Sequence, residues 1–215
     1  MRAFRVFWLS LRDLYEELFM FAGLNLLWWL CVLVIVLIPP ATAGLMYLAN
    51  ELAHERRVEW RMFLTGARLY LWRSWQVTIA SLGGIVILLT NIWFYVNVTT
   101  GILQYLTILW IYLLIIWLAA QIYVFPLLIQ MEQPRLLLIY RNALLLTLSR
   151  PLFTVLLILL LVAATIIGGL FAIILILAIP GLWAIAANRA LVHVLEEVRA
   201  AQTKDGESGE EEKDQ

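Results

Sequence analysis

Three stretches of this chain, residues 18–50, 74–131 and 151–188, contain no charged side chain, and every Lys and Arg falls in the four segments between and outside them. A helix needs about 20 apolar residues to cross a hydrocarbon core roughly 30 Å thick, because each residue rises about 1.5 Å. Each stretch holds at least one crossing. The chain therefore reads as an all-α, polytopic transmembrane helical bundle. Composition agrees: 64% of residues are hydrophobic and 14% charged, with a mean hydropathy of +0.91, where a soluble domain is about half apolar and a quarter charged. Residues 1–198 are expected to form one transmembrane domain with the lipid bilayer as its first partner.

The stretch 74–131 is long enough for two crossings, near residues 75–96 and 103–126. Asn97, Thr99, Thr100 and Gly101 supply a polar turn at its middle. The ends of this hairpin share a side, and they hold Arg56, Arg57, Arg61, Arg68 and Arg73 before it and Arg135, Arg141 and Arg150 after it. Basic loops stay cytoplasmic because translocating them is unfavourable, so the hairpin tip is expected to face outward.

The first stretch divides into a crossing at 20–38, then Pro39 and Pro40, then a shorter helix at 41–55. The third has the same form: 152–178, then Pro180 and Gly181, then a short helix at 182–198. Proline suits the first turn of a helix, where its missing N–H costs nothing. If both pairs return, there are six crossings of the cell membrane and both termini are cytoplasmic. Gly168 and Gly169 offer an alternative turn, and residues 41–53 could dip into the bilayer without crossing it, which leaves a range of four to six spans.

The flanking segments add little chemistry. Residues 1–18 mix Arg2, Arg5 and Arg12 with Asp13, Glu16 and Glu17, and no small-residue cleavage site follows, so no removable signal is expected. Residues 199–215 are acidic with hardly an apolar side chain near the end, and read as a disordered tail. Formal net charge is zero, which gives no reason to expect nucleic acid. The single cysteine, Cys31, permits no intramolecular disulfide and reads as a packing residue.

A basic amphipathic segment precedes each pair of crossings. Two of these align: Phe63, Gly66, Ala67, Leu69, Leu71 and Ser74 against Ile139, Asn142, Ala143, Leu145, Thr147 and Arg150. The expected architecture is three units, each an interfacial helix followed by a hairpin. Trp60, Trp72 and Trp75 belong at headgroup depth, with the neighbouring arginines as membrane-interface residues.

Leu24, Asn25, Leu26, Leu27 and Trp28, the run Pro40 to Leu45 (Pro-Ala-Thr-Ala-Gly-Leu), and the region of Phe63 and Trp75 together resemble the YesL-like family of bacterial membrane proteins of uncharacterised function. The resemblance extends to about Val198. It implies a polytopic membrane protein associated with carbohydrate uptake, and it carries over no catalytic residue.

Candidate chemistry is sparse. Asn25, Thr78, Ser81, Thr90, Asn91, Gln104 and Gln121 are polar residues within the spans, suited to interhelical hydrogen bonds or to a small polar path. The two histidines end the short helices, as Glu51, His54 and Glu55 in one and His193, Glu196 and Glu197 in the other. Residues three apart share a helix face, so Glu51, His54, His193 and Glu196 are the available metal or acid–base groups if the short helices pack side by side. A di-metal site also needs carboxylates from other helices, and the spans supply none, so no cofactor is expected. Asn97-Val98-Thr99 has the form of a glycosylation acceptor, which a bacterial protein would leave unused. Three functional readings follow. The first is a non-enzymatic accessory component beside a carbohydrate uptake system, with a sugar permease as partner; the others are a small-solute transporter or channel, and a membrane enzyme at the inner face.

Overall fold

The computed structural model describes residues 2–97 and 101–211, with the side chains of residues 102, 172, 173, 175 and 201–211 excepted. Residues 98–100, which include part of the expected hairpin turn and of the Asn-Val-Thr triplet, lie outside the described residues. The regular structure of the described residues is all helical, with α-helices α1 (Arg2–Glu16), α2 (Leu18–Leu33), α3 (Ile38–Ala53), α4 (Trp60–Leu69), α5 (Leu71–Asn97), α6 (Leu106–Gln130), α7 (Leu136–Ser149), α8 (Pro151–Leu170) and α9 (Ala172–Glu211). Among the described residues, five segments are long and apolar enough to cross a membrane: Ile35–Ala53, Leu71–Asn97, Leu103–Gln130, Pro151–Leu170 and Ile176–Ala200. The pair α1 and α2, bent by 93° at Glu17, makes a sixth if counted as one span. The chain is a multi-pass helical membrane protein.

The nine helices fall into three consecutive triplets, each a flanking helix followed by a hairpin. The second hairpin helices α3, α6 and α9 touch one another pairwise, and α2, α5 and α8 each pack on the second helix of their own unit. Each flanking helix packs on the unit before it: α4 on α3, α7 on α6, and α1 on α9, which closes the ring. The core is drawn largely from the central three. Leu45, Leu48 and Ala49 of α3, Ala120, Tyr123, Val124 and Leu127 of α6, and Ala184, Ile185, Ala187 and Leu191 of α9 are buried in one apolar cluster. Small alanines let these helices approach closely, the usual means of packing where lipid provides no hydrophobic drive.

The aligned segments keep their register. Phe63 is 2% exposed and Ile139 is fully buried, Ala67 and Ala143 turn inward, and Leu69 and Leu145 both face out. The correspondence then ends, because α4 stops at Leu69 while α7 continues to Ser149. Ser74 is buried and Arg150 exposed. The seam of α4 on α3 is backbone-tight. A Cβ on Gly44 would collide with the Phe63 carbonyl oxygen, and one on Gly66 would stand 2.5 Å from the Tyr47 Cβ.

In the first unit the break falls where the prolines place it, since a short 3₁₀ turn (Ile35–Leu37) precedes α3 and Pro39 and Pro40 occupy its first turn. In the third unit it does not. The expected boundary between 152–178 and 182–198 at Pro180 is replaced by one at Phe171, after Gly168 and Gly169, and Pro180 lies inside α9. Within the helix Pro180 removes the hydrogen bond to the carbonyl four residues back, that of Ile176. Here the side-chain amide of Asn25 donates to the Leu177 carbonyl at 2.7 Å, in the turn before Pro180. Gly181 makes the approach possible: a Cβ there would be 2.7 Å from Phe21 and 3.0 Å from the Asn25 amide nitrogen. The α9 backbone continues through the acidic stretch to Glu211.

Candidate functional site

The ends of α3, α6 and α9 meet with α1 and the α7–α8 junction at one charged end of the bundle. α1 is brought there by its own pattern. Ala3, Val6, Ser10, Asp13 and Leu14 are buried on one side, while Phe4, Trp8, Leu11 and Tyr15 form an exposed apolar stripe on another. The buried stripe includes a carboxylate, Asp13, which pairs with Arg189 of α9. Their side chains are 11% and 18% exposed, so both charges are largely removed from water and each depends on the other.

Glu197 is the second node. Its carboxylate accepts from Arg2 of α1 and lies 3.4 Å from the Arg150 guanidinium at the start of α8. His193, one turn back on α9, places Nε2 3.6 Å from the same carboxylate, and its ring rests against Phe153 with centroids 5.4 Å apart. One carboxylate therefore ties the first helix to the third unit. Beside it, Arg2, Arg5, Arg189, His193, Glu55 and Glu196 line a cleft of about 430 Å³. A second cleft, of about 400 Å³, is lined by His54, Gln130, Asn142 and Glu196 among others.

The residues singled out for metal or acid–base chemistry reach this end but separate there. Glu51 pairs with Arg56 at 3.0 Å. His54 has Nδ1 2.8 Å from the Asn50 carbonyl oxygen and Nε2 3.4 Å from Gln130. His193 lines the first cleft and His54 the second, with Glu196 on both. Among the described residues, no group of three or more His, Cys, Asp or Glu is arranged to hold a metal ion. Asp13 and Arg189 escaped the sequence reading, although a signal for Asp13 exists: residues 3, 6, 10 and 13 are spaced as one helical face, so the carboxylate falls in line with an inward stripe.

The basic residues divide into two groups. Arg2, Arg12, Arg56, Arg150 and Arg189 are each paired with a carboxylate. Glu16, by hydrogen bond and charge, pushes the Arg12 guanidinium above its usual range. Arg57, Arg61, Arg68 and Arg73 around α4, and Arg135 and Arg141 by α7, are exposed and form no ion pair among the described residues. The Arg61 guanidinium stands 5.6 Å from the centre of the Trp60 ring. Tyr70, which donates to the Ile129 carbonyl at 3.2 Å, has its phenol pushed up by burial and by Tyr47, with Arg73 opposing.

Polar residues within the spans hydrogen-bond between helices. Ser81 donates to Gln121 at 2.7 Å and stands 2.7 Å from the Tyr140 hydroxyl, joining α5, α6 and α7. Trp117 donates to the Ser81 carbonyl at 3.3 Å and stacks on Tyr140. Trp28 donates to Thr42, and Trp183 to Thr165, inside the first and third units. Asn91 bonds only to the Ile87 carbonyl of its own helix, and Thr90 and Gln104 are exposed.

A family model described as a protein of unknown function, DUF624, matches residues 21–92. The matched segment covers most of α2, all of α3 and α4 and most of α5, and contains the Asn25, Pro40 to Leu45, Phe63 and Trp75 positions on which the family resemblance rests. No curated protein and no solved structure matches the chain.

Proposed function

We propose that this chain is a non-enzymatic accessory component of a bacterial carbohydrate uptake system, held in the cell membrane with its charged end and both termini cytoplasmic, and that it binds a sugar permease. The observation that carries the reading is the outward half of the α5–α6 hairpin. Beyond the Ser81–Gln121 contact these two helices pack on each other, with Tyr95 stacked on Trp110 and Gly84 admitting the Trp117 ring. Their remaining faces, with Ile87, Trp93, Ile108 and Ile115 all more than half exposed, form a two-helix arm of apolar surface. Such an arm suits a second membrane protein that offers close packing in place of lipid. The YesL-like resemblance supplies the uptake association, and the alanine- and leucine-filled centre suits a scaffold better than a solute path.

The test is to tag the C-terminus, extract the protein from native membranes in mild detergent, and identify what accompanies it. Recovery of a sugar permease in near-stoichiometric amount, lost in the Trp93→Ala/Ile108→Ala variant, is the expected result. Recovery of the chain alone removes the accessory reading.

A further inference from the structure

The face of α4 that turns away from the bundle is independent of that reading. We infer that it is a binding site for anionic phospholipid, with Arg61 and Arg68 on the headgroup phosphate and Trp60, Leu64 and Leu69 against the glycerol and upper acyl chain.

The helix is rigidly placed. Phe63 is buried, and Gly66 meets Gly44 and Tyr47 of α3 at backbone distance, so α4 can neither rotate nor withdraw without breaking the tight seam that joins the first unit to the second. The opposite face is thereby fixed outward. There Trp60, Arg61, Leu64, Thr65, Arg68 and Leu69 line an open groove of about 670 Å³. Arg61 and Arg68 are seven residues apart, two turns, so they project on the same side about 10 Å from one another along the axis. Both are long enough to converge on one phosphate between them. Thr65, between them in sequence, has its hydroxyl committed to the Arg61 carbonyl at 3.1 Å, leaving the guanidiniums as the donors.

Charge decides the class of occupant. At the other corner of this end, Arg2, Arg150 and Arg189 are matched by Glu197 and Asp13. Around α4, residues 55–73 carry five arginines against two glutamates, and of the arginines only Arg56 is paired with a carboxylate among the described residues. Guanidinium forks match phosphate oxygens bidentately, and exposed Trp60 and Trp72 are the residue type that anchors at the headgroup layer. A soluble anion would use the arginines and leave Trp60, Leu64 and Leu69 in water. A phospholipid uses both.

The experiment is native mass spectrometry of the full chain in detergent, titrated with phosphatidylglycerol and with phosphatidylcholine of the same acyl chains. The expected preference for phosphatidylglycerol is about 25-fold, since each of the two basic side chains near an anionic headgroup contributes about fivefold. Arg61→Gln/Arg68→Gln brings the two lipids to parity. Arg135→Gln/Arg141→Gln, which removes the same charge from α7 at a spacing that does not share a face, keeps the preference. Both variants change exposed side chains, and a monodisperse elution profile confirms that each is folded. Equal binding of the two lipids by the native chain, or equal loss in both variants, overturns the site. Displacement of bound phosphatidylglycerol by millimolar inorganic phosphate overturns the lipid as its occupant.

Discussion

At the scale of single residues, Asn25 has a larger role than its size implies. It is fully buried among apolar side chains, and its one interhelical bond falls on the Leu177 carbonyl of α9, in the turn before Pro180. Replacing it with Leu keeps the γ-branched shape and removes the donor. Interhelical hydrogen bonds in membranes average about 0.6 kcal/mol and reach about 1.7 kcal/mol, and complete burial of the donor places this one near the upper end. Asn25→Leu is expected to destabilise the bundle by about 1–2 kcal/mol in a detergent-unfolding titration. Gly181→Val, which drives a side chain into Phe21 and Asn25, costs about 1–3 kcal/mol in the same assay. Sequence alone identified Asn25 as interhelical glue. It could not show that the bond lands on α9 one turn before Pro180, which reads as a boundary in the sequence and is an interior residue in the fold.

At the scale of helices, the flanking elements were legible and their attachments were not. The amphipathic patterns of α1, α4 and α7 follow from spacing, and the Phe63 and Ile139 register predicts which face turns inward. What each face packs on depends on closure of the whole ring. Asp13 finds Arg189, and Glu197 finds Arg2, across more than a hundred residues, so no local pattern reveals these pairs. The same distance hides the divergence of His54 and His193, which depends on the rotation of α3 and α9 about their axes. Glu197 is the element-scale hinge of this arrangement, since α1 is held at one end by Glu197 and at the other by Asp13. Glu197→Gln releases Arg2 and Arg150, both substantially exposed, so the effect is at the scale of a solvent-screened pair, about 1 kcal/mol. Hydrogen exchange should then run about fivefold faster across α1 with α5 and α6 unchanged. Faster exchange spread evenly over the molecule would show that Glu197 supports global stability instead.

At the scale of the whole molecule, the closing contact is α1 on α9, of the same kind as α4 on α3 and α7 on α6. The first helix is joined to the last by Arg2 and Glu197, so the start of the chain and the end of its membrane body lie beside each other. The order in which the units are strung is therefore separable from the way they pack. A gene in which a short polar linker joins residue 200 to residue 2, and new ends are opened between α6 and α7 at residues 132–134, should encode the same bundle beginning at α7. Membrane insertion, elution volume and the Asp13–Arg189 pairing are expected to be retained, the last read by an equal loss of stability on Asp13→Asn in the permuted and the native chain. Failure of this permuted chain to insert would show that α1 has to emerge first, and that the ring is an order of synthesis as well as an order of packing.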